Sequence, residues 1–122
     1  MSAEKKTLVL GASTNPGRYA YKAMKMLQRY GHPVVAVGKK KENLDSIPIE
    51  TELLSFDDVD TVTLYLNPMN QKQYYDYIIS LQPKRVIFNP GTENPELYSL
   101  LKDNNIDIEV GCTLVMLSVG HY

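Results

Sequence analysis

The segment Val9-Leu10-Gly11-Ala12-Ser13-Thr14-Asn15-Pro16-Gly17-Arg18 decides the fold of this chain. A short apolar run ends at Gly11, small and polar residues follow, and a pattern of helical period begins at Tyr19. This order is typical of a buried strand that turns tightly into a helix. The first amides of such a helix lack an acceptor within it, and the helix dipole makes that end positive. The segment therefore predicts an anion site, typically for phosphate, which glycines allow the backbone to approach closely.

The glycine spacing in residues 11–18 matches the dinucleotide fingerprint G-x-G-x-x-G only in part. Ser13 occupies the second glycine position, and the last glycine comes one residue late, at Gly17. The segment thus indicates phosphate without identifying the ligand. A plain strand-to-helix turn that binds nothing is the alternative.

The composition excludes several classes of protein. The chain has 122 residues, 43% of them hydrophobic and 22% charged, which suits one globular domain over residues 1–122. A formal net charge of -1 leaves no broad basic face, so we expect no nucleic-acid partner. The single cysteine allows neither an internal disulfide nor a cysteine-rich zinc site, which agrees with a reducing compartment.

Neither a secretory signal nor a membrane span is expected. The amino-terminal segment, residues 1–6, is short and charged, and the apolar run after it has only about four residues. No apolar stretch approaches the roughly 20 residues of a membrane-spanning helix. The sequence therefore favours a soluble, cytoplasmic protein.

Strand and helix patterns alternate along the rest of the chain. We predict strands at 7–10, 33–37, 61–66, 85–88 and 106–110, and helices at 19–30, at 71–81 and from Pro95 after the cap Asn94. The pattern at 113–119 fits a strand or a helix, and we favour a short closing helix with Thr113 as the cap. The proline in 47–51 assigns that segment to an extended sheet edge. Continuous apolar runs such as 34–37 indicate strands buried on both faces. The pattern predicts an α/β fold: a three-layer, Rossmann-like, doubly wound, mainly parallel five-stranded sheet with helices on both faces.

The carboxyl ends of the predicted strands meet on one edge of the sheet, because the crossovers are right-handed. Three of these ends carry Asn-Pro, namely Asn15-Pro16, Asn67-Pro68 and Asn89-Pro90. Turn chemistry alone accounts for each of them. Since ligands of open α/β sheets bind at this edge, Asn67 and Asn89 are also candidate walls of a site.

The residues at the end of the second strand indicate which class of nucleotide the site binds. NAD-binding folds place Asp or Glu there to accept hydrogen bonds from ribose hydroxyls, but this chain has Gly38-Lys39-Lys40-Lys41. Positive charge at this point favours a phosphorylated ribose, as in coenzyme A or NADP. Arg18 is a second candidate for phosphate. A solvated charge cluster beside Glu42 is the alternative.

The residues 9–30 followed by 34–40 resemble the CoA-binding domain family, whose small members are similar to the CoA-binding half of the succinyl-CoA synthetase alpha subunit. The resemblance covers nearly the whole chain, including 47–51 and 112–117. It implies a Rossmann-like fold that binds coenzyme A. The chain departs from the family at the second strand's end, where members often have Val-Asn-Pro and this sequence has Val37-Gly38-Lys39.

Carried onto this sequence, the resemblance implies a set of cofactor-binding residues. The turn after the first strand cradles phosphate, the end of the second strand lies along the adenosine, and the third and fourth strand ends bound the rest. These residues are Gly11, Ala12, Ser13, Thr14, Asn15, Gly17, Arg18, Gly38, Lys39, Lys40, Leu66, Asn67, Pro68 and Asn89.

The sequence contains no convincing catalytic or metal-binding set. We interpret His32 and His121 as surface residues. Cys112 is interpreted as a small buried residue, and the alternatives are a nucleophile or a thiol that forms a mixed disulfide with CoA. We therefore expect a non-catalytic protein that binds coenzyme A or acyl-CoA, with a homo-oligomer or a protein partner left open. The alternatives are a small NADP-linked oxidoreductase or a subunit of one, and an interaction protein that has lost the ligand.

Overall fold

A computed structural model describes residues 4–122, so the first three residues of the charged amino-terminal segment lie outside it. Strands and helices alternate along the described chain. They are β1 (Thr7–Ala12), α1 (Tyr19–Arg29), β2 (Val34–Gly38), β3 (Glu42–Leu44), β4 (Ile47–Glu50), β5 (Thr61–Leu64), α2 (Pro68–Gln71), α3 (Tyr75–Leu81), β6 (Arg85–Phe88), α4 (Pro95–Asp103), β7 (Asp107–Val110) and α5 (Thr113–Ser118). A 3₁₀ turn, Lys72–Tyr74, joins α2 to α3.

Within residues 4–122 the strands form one seven-stranded sheet in the order β3-β4-β2-β1-β5-β6-β7. All neighbouring strands are parallel except β3 and β4, which pair antiparallel. The α/β class and the mainly parallel sheet are thus confirmed, but the prediction of five strands was wrong. The additional strands are β3 and β4, which form a hairpin at one side of the sheet.

The assignment of 47–51 to the sheet edge was also wrong. β4 lies between β2 and β3, and the three-residue β3 forms the edge. Asp45 and Ser46 make the hairpin turn, and pairing runs outward from Leu44 opposite Ile47. Pro48 is opposite Asn43, one step from the closing pair, where an antiparallel ladder needs no bond to β3, and the register with β2 begins only at the next residue, Ile49 opposite Ala36. A proline is tolerated inside the sheet for this reason.

Alternation along the strands builds a core on each face of the sheet. Leu8 and Leu10 of β1 belong to a cluster that includes buried side chains of α3 and α4, whereas Val9 belongs to one that includes α1 and Leu117 of α5. Residues 4–122 therefore form three layers, with helices covering both faces of the sheet. Within this range every helix falls short of the length and apolarity that a bilayer crossing requires.

Two helices match the sequence patterns closely. Ala20, Ala23, Met24 and Leu27 form the buried side of α1, and the chain leaves this helix through Gly31 at φ +83°. The side chain of Asn94 accepts a hydrogen bond from the amide of Leu97, with Pro95 in the first turn of α4. The end of α1 is therefore set by a glycine in the left-handed conformation, and the start of α4 is set by its N-cap residue.

Two other helices begin elsewhere than expected. The predicted helix 71–81 starts instead at Pro68, because Asn67 accepts a hydrogen bond from the amide of Asn70 and acts as an N-cap. The helix at 113–119 is confirmed as α5, but its N-cap is Cys112, with no side-chain capping bond. The hydroxyl of Thr113 is instead buried against that of Thr63, at 2.8 Å.

The direction of the chain reverses between β1 and β5. From β1 it proceeds to β2 and the β3–β4 hairpin on one side, and then returns to β5, β6 and β7 on the other. A crevice outside the carboxyl ends of the strands is expected at such a switch point. The segment 11–18 leaves the sheet at this position.

Candidate functional site

The segment 11–18 begins in close contact with the end of β5. Gly11 has φ +93°, and a Cβ there would lie 3.0 Å from the carbonyl oxygen of Tyr65 and 3.1 Å from the side chain of Leu66. A side chain at residue 11 would therefore be strained and crowded. The glycine lets the ends of the first and third predicted strands approach each other closely.

Hydrogen bonds within the segment stiffen it. The Ser13 hydroxyl accepts from the amide of Asn15 at 3.0 Å, and the Asn15 side chain accepts from the amide of Gly17 at 2.9 Å. The amide of Arg18 donates to the Asn15 carbonyl at 3.0 Å. These three amides are thus already bonded within the protein. The anion donors left at this position are in the first turn of α1, which no side chain within residues 4–122 caps.

The end of β2 packs directly against the same segment. A Cβ at Gly38 would lie only 2.4 Å from the carbonyl oxygen of Ala12. Lys39 and Lys40 follow at once and are exposed. Lys41 lies 3.8 Å from Glu50, whereas neither of the two preceding lysines has an ion-pair partner in the described part of the chain. Two exposed lysines without an ion pair in the described chain therefore follow directly after the contact between β2 and the 11–18 segment.

A carboxylate that the sequence analysis missed also reaches this segment. Glu42, the first residue of β3, accepts a hydrogen bond from the Thr14 hydroxyl through Oε2 at 2.8 Å. Judged from the strand end alone, no carboxylate stood at the ribose position. In space the Glu42 carboxylate reaches the 11–18 segment, because the β3–β4 hairpin folds back beside β2. The signal was the turn Asp45-Ser46 between two short segments, of which the first has no strand pattern.

The two predicted asparagine walls carry structural hydrogen bonds. Asn89 is 3% exposed, and its amide donates to Thr63 Oγ1 at 2.7 Å and to the Leu64 carbonyl at 2.9 Å. Its Oδ1 accepts from the amide of Thr113 at 2.9 Å. Asn67 is exposed and caps α2. The Asn89 side chain thus links β5, β6 and α5, and both its nitrogen and its oxygen form hydrogen bonds within the protein.

A cavity of about 220 Å³ opens on the other side of β1 from the lysines. Its lining is mainly apolar and consists of Tyr19, Tyr65, Asn89, Pro90, Cys112 and Leu114. The free thiol of Cys112 is half-buried, whereas the sequence favoured a small buried residue. Burial raises the pKa of Tyr65 to about 12, and its hydroxyl has no hydrogen-bond partner within residues 4–122. The cavity therefore combines apolar surface with a thiol and a neutral phenol.

Comparison with models of known protein families shows to which family this chain belongs. The model of the CoA binding domain family matches residues 5–118. The chain belongs to this family. The resemblance stated from the sequence is thereby confirmed, and it extends over nearly the whole described chain.

The same fold is found in solved structures of other proteins. A crystal structure of an uncharacterized protein is 53% identical, with a TM-score of 0.96, over 99% of this chain and 100% of that one. A hypothetical protein from Pyrococcus horikoshii OT3 is 26% identical, with a TM-score of 0.87, over 95% of this chain and 83% of that one. A Thermus thermophilus protein at 22% identity has a TM-score of 0.86 over 98% and 91%, a likeness in fold alone. No curated protein matches the sequence.

The structure of the CoA binding domain brings most of the predicted site residues to one edge of the sheet. Leu66 and Gly38 each contact the 11–18 segment, the first at Gly11 and the second at Ala12. Pro68 begins α2 two residues after Leu66, and Asn89 lines the cavity. That these residues bind a cofactor remains a prediction.

The histidines of the CoA binding domain lie away from this edge. His121 is exposed, whereas His32 is half-buried in the turn before β2, which corrects its reading as a surface residue. Its Nδ1 accepts from the amide of Lys5 at 3.0 Å, and its ring packs 4.9 Å from that of Tyr122. Burial lowers the pKa of His32, with further lowering by Lys5 and Arg85. Within residues 4–122, no three His, Cys, Asp or Glu side chains form a metal-binding group.

Proposed function

We propose that this chain binds coenzyme A, or an acyl derivative of it, without catalysing a reaction. Membership of the CoA binding domain family supports the ligand. The observation that carries the proposal is the order of features along the sheet edge. The two free lysines follow β2, the 11–18 segment follows β1, and the cavity lies at the ends of β5, β6 and β7. An elongated ligand with phosphates at one end and an apolar arm at the other meets these features in turn.

The phosphates of such a ligand have donors of two kinds. The uncapped first turn of α1 offers backbone amides and the positive end of an eleven-residue helix to the pyrophosphate. Arg18, the N-cap residue, adds an exposed guanidinium with no ion-pair partner in the described chain. Lys39 and Lys40 then face the phosphate on the ribose. Since lysine acts as a point charge, their effect depends on proximity more than on geometry.

The pantetheine arm runs from the 11–18 segment towards the cavity. Tyr19 connects the two, because it both follows Arg18 and lines the cavity. The volume of about 220 Å³ exceeds the roughly 150 Å³ of a cavity that holds benzene, so it accommodates one segment of the arm or a short acyl group. Cys112 and Tyr65 border this space as a thiol and a neutral donor.

Native mass spectrometry of the purified protein tests the ligand class directly. We expect a complex whose excess mass equals that of coenzyme A or of an acyl-CoA, and a rise in melting temperature when CoA is added to ligand-free protein. Enhanced NADPH fluorescence on adding protein, without a response to CoA, would favour the NADP-linked alternative. No retained ligand and no thermal response to millimolar CoA would contradict the proposal and leave an interaction protein on the same fold.

A further inference from the structure

The carboxylate of Glu42 reaches the 11–18 segment from the first residue of β3, directly after the three lysines that follow β2. Its Oε2 accepts from the Thr14 hydroxyl at 2.8 Å, which fixes the direction of the group. Three lysines precede it in sequence, yet within residues 4–122 Glu42 forms no ion pair, and Lys41 faces Glu50 instead. The other oxygen, Oε1, has no hydrogen bond to a described residue, and the side chain is only partly buried. An oriented acceptor is therefore open to a ligand.

Ribose chemistry matches an acceptor at this position. In doubly wound sheets the adenosine ribose lies between the loop after the first strand and the end of the second, and a carboxylate there accepts from its hydroxyls. This chain places glycine and lysine at that strand end, and a different strand, β3, supplies the carboxylate. Lysines and a carboxylate so close together in the chain match a ribose that carries both a phosphate and a free hydroxyl.

We propose that Glu42 determines specificity by accepting a hydrogen bond from the 2′-hydroxyl of the bound adenosine, while Lys39 and Lys40 hold its 3′-phosphate. This rests on the proposed binding of coenzyme A and names how that site reads the ribose. A 2′-phosphate, as in NADP, places two negative charges against the Glu42 carboxylate and is disfavoured by like-charge repulsion. The site thus selects nucleotides phosphorylated at the 3′ position with a free 2′-hydroxyl.

The test compares adenosine 3′,5′-bisphosphate with its 2′-deoxy analogue by calorimetric titration. The measured quantity is the ratio of their affinities, because a change in charge on the protein affects both ligands alike and cancels. Glu42→Ala removes the acceptor, and Glu50→Ala on the adjacent strand removes the same charge as a matched control. Glu42→Asp keeps the charge with a shorter side chain, and circular dichroism verifies that each variant is folded.

The wild-type protein is expected to bind the ribonucleotide about tenfold more tightly, the difference that one hydrogen bond to a charged group makes. The ratio should remain about tenfold in Glu50→Ala, fall close to one in Glu42→Ala, and be intermediate in Glu42→Asp. A ratio near one in the wild type, or an unchanged ratio in Glu42→Ala, overturns the role of Glu42 while binding of CoA stands. If the wild type binds neither bisphosphate nor CoA, the proposed function falls with it.

Discussion

The last residue of β2 touches the last residue of β1 through their backbones, since a Cβ on Gly38 would lie 2.4 Å from the carbonyl oxygen of Ala12. Lys39 and Lys40 directly follow the β2 side of this contact, and the rest of the 11–18 segment follows the β1 side. The spacing between the two phosphate-binding elements of the proposed site therefore depends on a missing side chain.

We predict that Gly38→Ala destabilises the protein by about 2 kcal/mol. The added methyl group meets backbone, which cannot rotate away, so the strands must separate, and overpacking of this kind typically costs about 1–3 kcal/mol. Urea denaturation followed by circular dichroism measures the change in the free energy of unfolding. The separation also moves Lys39 away from the 11–18 segment, so the affinity for CoA should fall in the same variant.

The matched control is Gly111→Ala, because a Cβ at that glycine would meet nothing within 4 Å. Its free energy of unfolding should change by no more than about 0.5 kcal/mol. Equal losses of stability in the two variants would show that glycine is not required at residue 38 by the contact with Ala12.

Asn89→Leu should cost about 3 kcal/mol of stability. The leucine fills a similar volume but leaves the amide of Thr113 and the carbonyl of Leu64 buried without partners, and each such group costs about 1–3 kcal/mol. Thermal and urea unfolding provide the measurement. Asn67→Ala, which removes an exposed helix cap, serves as the comparison and should cost about 1 kcal/mol. A larger loss for Asn67→Ala would contradict the structural role assigned to Asn89.

The stability of the protein should rise with pH up to about pH 6.5 through His32. Its pKa in the folded state is below the ordinary value of 6.5, because burial and the charges of Lys5 and Arg85 outweigh the opposing effects of Glu4 and Asp60. Between the two pKa values the unfolded chain binds more protons, so the free energy of unfolding increases with pH there. Urea denaturation at half-unit steps from pH 5 to pH 8 measures the slope.

His32→Asn is the control for this titration. Asparagine can still accept from the amide of Lys5 through its side-chain oxygen, but it does not titrate. The rise in stability over the window that ends near pH 6.5 should therefore disappear in the variant. An unchanged pH profile in His32→Asn would assign the effect to other groups.

Much of the fold was predictable because its signals are local. The β-branched run of β2 and the Asn94-Pro95 start of α4 each predicted an element that the structure contains. The same Asn-Pro signal at Asn67 was interpreted as the end of a strand, although it also begins a helix. β3 escaped detection because Glu42-Asn43-Leu44 has no apolar alternation, and its strand conformation comes from pairing with β4.

The candidate site was predictable only in its position along the chain. The strand-turn-helix order located the 11–18 segment, and the alternation of elements located the sheet edge. The contact between Glu42 and Thr14 depends on the β3–β4 hairpin. The hydrogen bond from the amide of Thr113 to Asn89 depends on where α5 begins. Such contacts join residues more than twenty positions apart, so no pattern within a window of sequence contains them.

Calorimetric titration of CoA and dephospho-CoA into the wild type and into Lys39→Ala/Lys40→Ala tests the central claim most directly. The matched control is Lys84→Ala/Lys102→Ala, which removes two exposed charges near the amino ends of the strands, away from the proposed site. The account predicts that the wild type and the control bind CoA more tightly than dephospho-CoA, and that Lys39→Ala/Lys40→Ala loses most of this preference. Equal affinity of the wild type for both ligands, or no measurable binding of CoA, would contradict it.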